Sequence, residues 1–183
     1  EFASYLLPAW FLGNYPDKKV IQTAHTAELA VGFGRKVRNL VNSKDFKEIF
    51  PDVSLQSDSK AAGRWNTIKG GEYFAIGVGG AVTGKGADLL IIDDPHSEQD
   101  AMSASALENA YEWYTSGPRQ RLQPGASIVV VMTRWSTKDL TAMLLKNQKE
   151  VKGDQWDVVE FPALIDHGSG TKPVWPEYWD AEE

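Results

Sequence analysis

The sequence has no cysteine, and it has only three histidines among its 183 residues. The lack of cysteine excludes disulfide bonds, zinc sites built on thiolates, and cysteine nucleophiles. The histidines, His25, His96 and His167, lie too far apart along the chain to form a metal-binding motif. We therefore expect each of them to have a structural role.

Long apolar runs and an excess of positive charge are missing as well. No run approaches the roughly 20 apolar residues that a membrane-spanning helix needs. The net charge of −6 argues against broad, charge-driven binding of nucleic acid, although it leaves room for a local basic surface. Hydrophobic residues make up 42% of the chain, which has the length and composition of one globular domain.

Helical and extended patterns alternate along the chain. Apolar runs predict strands at 18–23, 64–69, 72–78, 87–93, 127–133 and 156–161, and amphipathic spacing predicts helices at 26–42, 45–50, 103–114 and 137–149. Gly70 and Gly71 predict a hairpin between the second and third strands, whereas the polar residues 52–63 indicate a surface loop. Together these patterns predict an α/β fold: a mainly parallel sheet with helices on both faces and one antiparallel hairpin.

Two adjacent acids end the most apolar of these strands. Residues 89–92 (LLII) run directly into Asp93 and Asp94, and Pro95 closes the segment. Open parallel sheets bind their ligands at the carboxyl ends of the strands. We interpret the segment as a Walker B strand, in which Asp93 holds the Mg²⁺ of a nucleoside triphosphate.

The glycine-rich residues 79–86 (GGAVTGKG) nearly match the phosphate-binding pattern GxxxxGK[ST]. Gly86, however, stands where a hydroxyl should ligate Mg²⁺, and the next predicted element is a strand. A phosphate-binding loop must instead open a helix, whose N-terminal amides cradle the phosphates. We therefore expect a glycine turn between two strands, with Lys85 left at the sheet edge as a cation available to a phosphate.

The first residues, EFASYLLPAWF, predict a helix with Leu6, Leu7 and Trp10 on one face. In P-loop ATPases, a helix of this kind follows the phosphate-binding loop. We expect the chain to be a fragment that begins just after such a loop.

Five segments, in this order, resemble the ATPase domain of the large terminase subunit of tailed bacteriophages, the motor that packages DNA. They are PAWFLGNYPDKKVI, RNLVNSKDFKEIFP, TGKGADLLIIDDP, RLQPGASIVVVMTRWSTKDL and KPVWPEYW. The resemblance implies a P-loop NTPase-like sheet of the ASCE or RecA-like type. It also implies a partial motor domain over residues 1–165 that begins just after the Walker A loop. Residues 166–183 would then be an irregular linker toward a nuclease domain.

The resemblance also assigns roles to single residues. Asp93 matches the acid that ligates Mg²⁺, and either Asp94 or Glu98 would be the catalytic acid that orients the attacking water. Thr133 and Arg134 match the coupling motif, which senses the γ-phosphate and relays hydrolysis to DNA movement. The candidates for a phosphate sensor, or for the cation that a ring motor supplies from a neighbouring subunit, are Lys85, Arg119 and Arg121.

The flank of the coupling motif matches only in part. Asp139 matches an acid found there, whereas Ser136 and Thr137 depart from the histidine and acid that are common in the family. The resemblance further implies Mg-ATP as substrate and double-stranded DNA as partner. Portal protein, the small terminase subunit and further copies of the chain in a ring complete the expected partners, with no membrane. The expected location is the host cytoplasm, at the procapsid portal.

Two other interpretations remain open from the residues. A two-metal nuclease could use Asp93 and Asp94, although neighbours on a strand point to opposite faces and such a site needs further converging acids. Alternatively, without a phosphate-binding loop, the chain could be a catalytically inert structural piece.

Overall fold

A computed structural model describes residues 2–84, 86–150, 153–166, 168 and 170–178. The chain divides into two compact units, Glu1–Lys146 and Asn147–Glu183. The larger unit contains the six-stranded sheet and the predicted site residues.

The sheet of the larger unit is mostly parallel. Its strands are β1 (Lys19–Ala24), β2 (Leu55–Ala61), β3 (Arg64–Thr67), β4 (Glu72–Gly77), β5 (Ala87–Asp93) and β6 (Leu122–Val131). They lie in the order β2-β3-β4-β1-β5-β6. The pairs β4–β1, β1–β5 and β5–β6 are parallel, whereas β2–β3 and β3–β4 are antiparallel. The predicted α/β class, the mainly parallel sheet and the hairpin at Gly70 and Gly71 are confirmed.

Helices flank this sheet. A π-helical turn (Phe2–Leu6) leads into α1 (Leu7–Asn14), and further helices are α2 (Ala27–Val41), α3 (Lys44–Ile49), α4 (Glu98–Ala101), α5 (Ala104–Ser116) and α6 (Leu140–Asn147). A 3₁₀ turn (Pro118–Arg121) precedes β6. The side chain of Thr26 accepts the Leu29 amide and caps α2.

The core lies between α2 and the central strands. Val37 and Val41 of α2 are fully buried, and α2 packs against β4 and β1. Five of the six residues of β1 are buried, because the strand is covered on both faces. β5 is buried almost throughout, so the apolar run at 89–92 is explained by its central position.

Two predictions about the strands of this unit were wrong. Residues 52–63 are not a loop, because β2 pairs with β3 as an edge strand whose residues are mostly exposed, and polar side chains suit such an edge. The strand predicted at 127–133 extends over Leu122–Val131 and is not buried on both faces, since it is the other edge of the sheet. An edge position also tolerates Pro124 within the strand.

The smaller unit contains a short antiparallel hairpin of β7 (Leu164–Asp166) and β8 (Thr171–Pro173). The strand predicted at 156–161 is wrong: these residues have no regular structure, and Val159 and Phe161 are 75% and 84% exposed. An apolar run forms a strand only where a partner strand receives it, and none of the described strands pairs with this one.

None of the described helices combines the length and the hydropathy that a membrane crossing requires.

Candidate functional site

The site is built at the carboxyl ends of three adjacent parallel strands. In the register of the sheet, Ala24 of β1 and Val131 of β6 both lie beside Asp93 of β5. Asp94 follows Asp93 directly, and Thr133 and Arg134 follow Val131 by two and three residues. The structure therefore brings the predicted acidic strand end and the predicted coupling motif to the same edge of the sheet.

Asp93 is a half-buried carboxylate at the end of β5. Burial raises its pKa, and the charge of Asp94 raises the pKa further, whereas a hydrogen bond from the Ser4 hydroxyl opposes the rise. Ser4 lies in the π-helical turn and is itself 2% exposed. A cation bound to such a half-buried carboxylate would offset part of the cost of burying its charge.

Asp94 is held in a left-handed conformation, with φ of 42°. Its amide donates to the carbonyl of Val131 (2.8 Å), and its own carbonyl accepts the amide of His25 (3.1 Å). The Nδ1 of His25 lies 3.2 Å from the same carbonyl. For a residue other than glycine this conformation costs on the order of 1 kcal/mol, so the contacts from β1 and β6 impose it. Unlike Asp93, Asp94 is exposed to solvent.

Arg134 is engaged by a second acid, Asp139. Its Nε donates to the two carboxylate oxygens of Asp139 at 2.9 and 3.2 Å. The same carboxylate accepts the amides of Trp135 (3.0 Å), Ser136 (3.1 Å) and Ala142 (2.8 Å). Burial would raise the pKa of Asp139, but these hydrogen bonds outweigh it and hold the pKa below its usual value. Asp139 thereby closes residues 134–139 into one hydrogen-bonded loop that begins α6; we call it the arginine loop.

The candidate cations lie at the other end of the sheet. Arg119 and Arg121 belong to the 3₁₀ turn before β6, and Leu122 pairs with Ala87 at the start of β5. Asp93 is at the far end of β5, roughly 20 Å away at about 3.3 Å per residue. Within one chain these arginines are therefore separated from Asp93, while Lys85 lies outside the described residues.

Glu98 is the first residue of α4, and it is exposed. The capping box of this helix is made by Ser97 and Asp100, so Glu98 is not needed for the cap. The choice of Asp94 or Glu98 as the second acid of the site therefore stays a prediction.

The glycine-rich residues 79–86 connect β4 to β5, and Gly86 is followed directly by the strand. Gly79 and Gly84 adopt positive φ angles of 81° and 73°, which explains the need for glycine at both positions. The loop packs on α5: the indole N–H of Trp113 donates to the Gly80 carbonyl (2.8 Å). The segment is a turn between two strands, as predicted from the strand pattern that follows it.

Sequence reasoning missed three residues of this edge: Ser4, His25 and His96. His25 follows β1 by one residue and His96 follows β5 by three, so their places at neighbouring strand ends were a readable signal. The two histidines line a cleft of about 260 Å³ together with Asp100 and Asn109. No sequence pattern could have placed Ser4 against Asp93, because only tertiary packing brings the first turn there.

The described residues contain no group of three or more histidine, aspartate or glutamate side chains placed to hold a metal ion. One carboxylate can nevertheless suffice for Mg²⁺, which proteins bind through one or two carboxylates together with phosphates and water. Asp93 is the residue that meets this description.

No protein-family model matches the chain, and no curated protein matches it significantly.

Proposed function

We propose that the chain is the ATP-hydrolysing motor domain of a viral DNA-packaging terminase, which couples Mg-ATP hydrolysis to translocation of double-stranded DNA into a procapsid. The observation that carries the proposal is the edge formed by β5 and β6. A half-buried acid, Asp93, ends one strand, and the adjacent parallel strand leads to Thr133 and Arg134. Ligand sites of open α/β sheets lie at such an edge.

Asp93 would hold Mg²⁺, which when bound stabilises the negative charge on the phosphates. Asp94 or Glu98 would orient the attacking water. Asp94 follows the proposed metal ligand directly and is exposed. Hydrogen bonds to Val131 and from His25 hold its backbone in place, which limits the positions that its carboxylate can reach. Positioning of this kind is the main contribution of a protein to phosphoryl transfer.

Thr133 and Arg134 would report the state of the γ-phosphate to the rest of the domain. Because Asp139 already holds Arg134, a shift of Arg134 would move the whole arginine loop and the start of α6 with it. The hydrogen bonds of Asp139 would thus pass a movement of Arg134 on to the backbone of α6.

The phosphate-holding loop would come from outside the described residues, because residues 79–86 lead into a strand and not a helix. The exposure of β6, the last strand on one side of the sheet, supports this expectation. Ile128, Val129 and Val130 remain half-exposed on a strand of a parallel sheet, and such strands are normally covered on both faces. A further parallel strand beside β6, together with its connecting helices, would cover them and bring its own loop to the carboxyl ends of the strands, where Asp93 lies.

The cation that completes the site would come from a neighbouring copy in a homo-oligomeric ring. Arg119 and Arg121 lie too far from Asp93 to act within one subunit, but a neighbour could present them, or Lys85, across an interface. Portal protein, the small terminase subunit and double-stranded DNA are the partners that this function requires, in the cytoplasm of the bacterial host.

Replacing Asp93 tests the proposal. In the complete protein, Asp93→Asn should lower DNA-stimulated ATP hydrolysis on the order of a hundredfold or more, because a metal contributes several kcal/mol of charge stabilisation. The matched control is Asp88→Asn on the same strand. Asp88 pairs with Lys18 (3.1 Å) near the opposite end of β5, so this variant should keep its activity. Wild-type turnover by Asp93→Asn would overturn the assignment.

Two other interpretations compete with this proposal. The nuclease gains no support, since Asp139, the acid that follows β6, is engaged by Arg134 and backbone amides. For the inert alternative, we expect the 183 residues alone to release little phosphate from ATP. Rapid phosphate release by this chain would show that residues 79–86 hold phosphate after all.

A further inference from the structure

The turn that follows β5 is tied to its surroundings at several points. We call residues 93–96 the acidic turn. The amide and carbonyl of Asp94 are bound by Val131 and His25, which fixes the left-handed backbone at this residue. A strained conformation persists only when neighbouring contacts determine it, so a movement of the turn also moves the groups attached to it.

His96, the last residue of the acidic turn, is 3% exposed. Its Nε2 accepts the amide of Leu140 at 3.0 Å, across 44 positions of the sequence. Because an amide only donates, Nε2 must be unprotonated, and the neutral ring then carries its proton on Nδ1. Leu140 is the first residue of α6, whose opening amides have no partner within the helix. His96 therefore caps a helix that belongs to another part of the chain.

The residue beside this contact is Asp139, which is fully buried and closes the arginine loop. Its carboxylate also accepts the amide of Ala142, the third residue of α6. The arginine loop and the start of α6 are therefore one hydrogen-bonded body. His96 attaches that body to the acidic turn.

We propose that His96 is a positioning residue that couples the acidic turn to the arginine loop, so that a change of conformation at Asp93 and Asp94 moves Arg134 through the His96–Leu140 hydrogen bond. The proposal rests on the proposed function for the identity of the ligand at the acidic turn. The mechanical link itself concerns contacts within this chain.

The test uses a perturbation of the acidic turn and amide hydrogen exchange of residues 135–142 as the readout. Asp94→Ala disturbs the turn, because alanine lacks the polar side chain that helps aspartate adopt a left-handed backbone. In an otherwise wild-type chain, this change should alter exchange at Ser136, Leu140 and Ala142. In a His96→Leu background, the same change should leave exchange at these amides unaltered.

His96→Leu alone should speed exchange of the Leu140 amide about fivefold to tenfold, the effect of losing one hydrogen bond. His96→Gln, which can keep an acceptor near the position of Nε2, should restore both the protection and the response to Asp94→Ala. A purely structural role would change protection without changing the response. If His96→Leu does not fold, His96→Asn replaces it, since its shorter side chain does not reach Leu140.

An unchanged response to Asp94→Ala in the His96→Leu or His96→Asn background would overturn the proposal, as would the absence of any response in the wild-type chain. These outcomes need no nucleotide. A second measurement follows kcat and KM of DNA-stimulated hydrolysis in the complete protein, where His96→Leu should lower kcat and leave KM unchanged. Loss of that effect, with the exchange result intact, would count against the proposed function and not against the link.

Discussion

Two acids, Asp93 and Asp139, follow neighbouring parallel strands, and the structure gives them opposite environments. Asp93 ends β5, is half-buried, and receives a hydrogen bond from the Ser4 hydroxyl. Asp139 follows β6 at the start of α6, is fully buried, and is surrounded by Arg134 and three backbone amides. Burial acts on both, yet the pKa of Asp93 is raised and the pKa of Asp139 is lowered.

The difference shows that donors, more than burial, distinguish a structural acid from one available to a ligand. The charge of Asp139 is already compensated by the protein, so a cation would have to displace Arg134 to reach it. The charge of Asp93 is not compensated to the same extent, so a cation gains by binding there. Four predictions sharpen this contrast.

The largest effect on stability is expected at Asp139. Asp139→Ala should lower the free energy of unfolding by about 2–3 kcal/mol, because it removes the cap of α6 and leaves Arg134 and three backbone amides without their common acceptor. Urea denaturation of the 183-residue chain measures this loss. The control is Glu112→Ala on the exposed face of α5, which should change stability by less than about 0.5 kcal/mol. If Asp139→Ala lowered stability as little as Glu112→Ala, Asp139 would not be a structural acid and would not differ from Asp93 in this respect.

Asp93→Asn should behave in the opposite way. At neutral pH it removes a half-buried charge and keeps an oxygen for Ser4, so stability should rise, by less than about 1 kcal/mol. The same urea experiment measures the change. A clear loss of stability would mean that Asp93 is structural, and its assignment as a metal ligand would lose its physical basis.

The pH dependence should also differ in sign between the two acids. The pKa of Asp139 is lowered by folding, so its stabilisation is present above its unfolded value near 3.8 and is lost as the pH falls through the lower folded value. The pKa of Asp93 is raised by folding, so its ionisation reduces stability as the pH rises from 3.8 through the higher folded value. The free energies of unfolding of Asp93→Asn and wild type, measured from pH 3 to 7, should therefore diverge as the pH rises, with the wild type becoming the less stable of the two.

The smallest effect is that of Mg²⁺ itself. An ion that binds only the folded chain stabilises it by about 0.4 kcal/mol when its concentration equals the dissociation constant. We expect Mg²⁺ to raise the free energy of unfolding by about this amount in the wild-type chain and in Asp88→Asn, and not to raise it in Asp93→Asn. Thermal melts with Mg²⁺, and with Ca²⁺ at the same ionic strength, measure it. An equal rise in all three proteins would indicate non-specific binding.

Helices and strands were predicted well where their signal lies in neighbouring residues, and poorly where it depends on a distant partner. The helix at Ala27–Val41 and the strand at Ala87–Asp93 match closely, because their cap and their apolar spacing are carried by neighbouring residues. β2 was missed, since its residues are polar and pairing with β3 makes it a strand. The run at 156–161 has the composition of a strand, but no described strand pairs with it.

The acids themselves divide in the same way. Their residue types and their positions after apolar strands were readable in the sequence, and so was the unsuitability of residues 79–86 as a phosphate-binding loop. The donors to Asp139 all come from residues 134–142, so the local sequence decides its environment. The environment of Asp93 could not be read there, because the first turn, with Ser4, reaches Asp93 only through tertiary packing. Local hydrogen bonds therefore lower the pKa of Asp139, whereas burial in the folded sheet raises the pKa of Asp93.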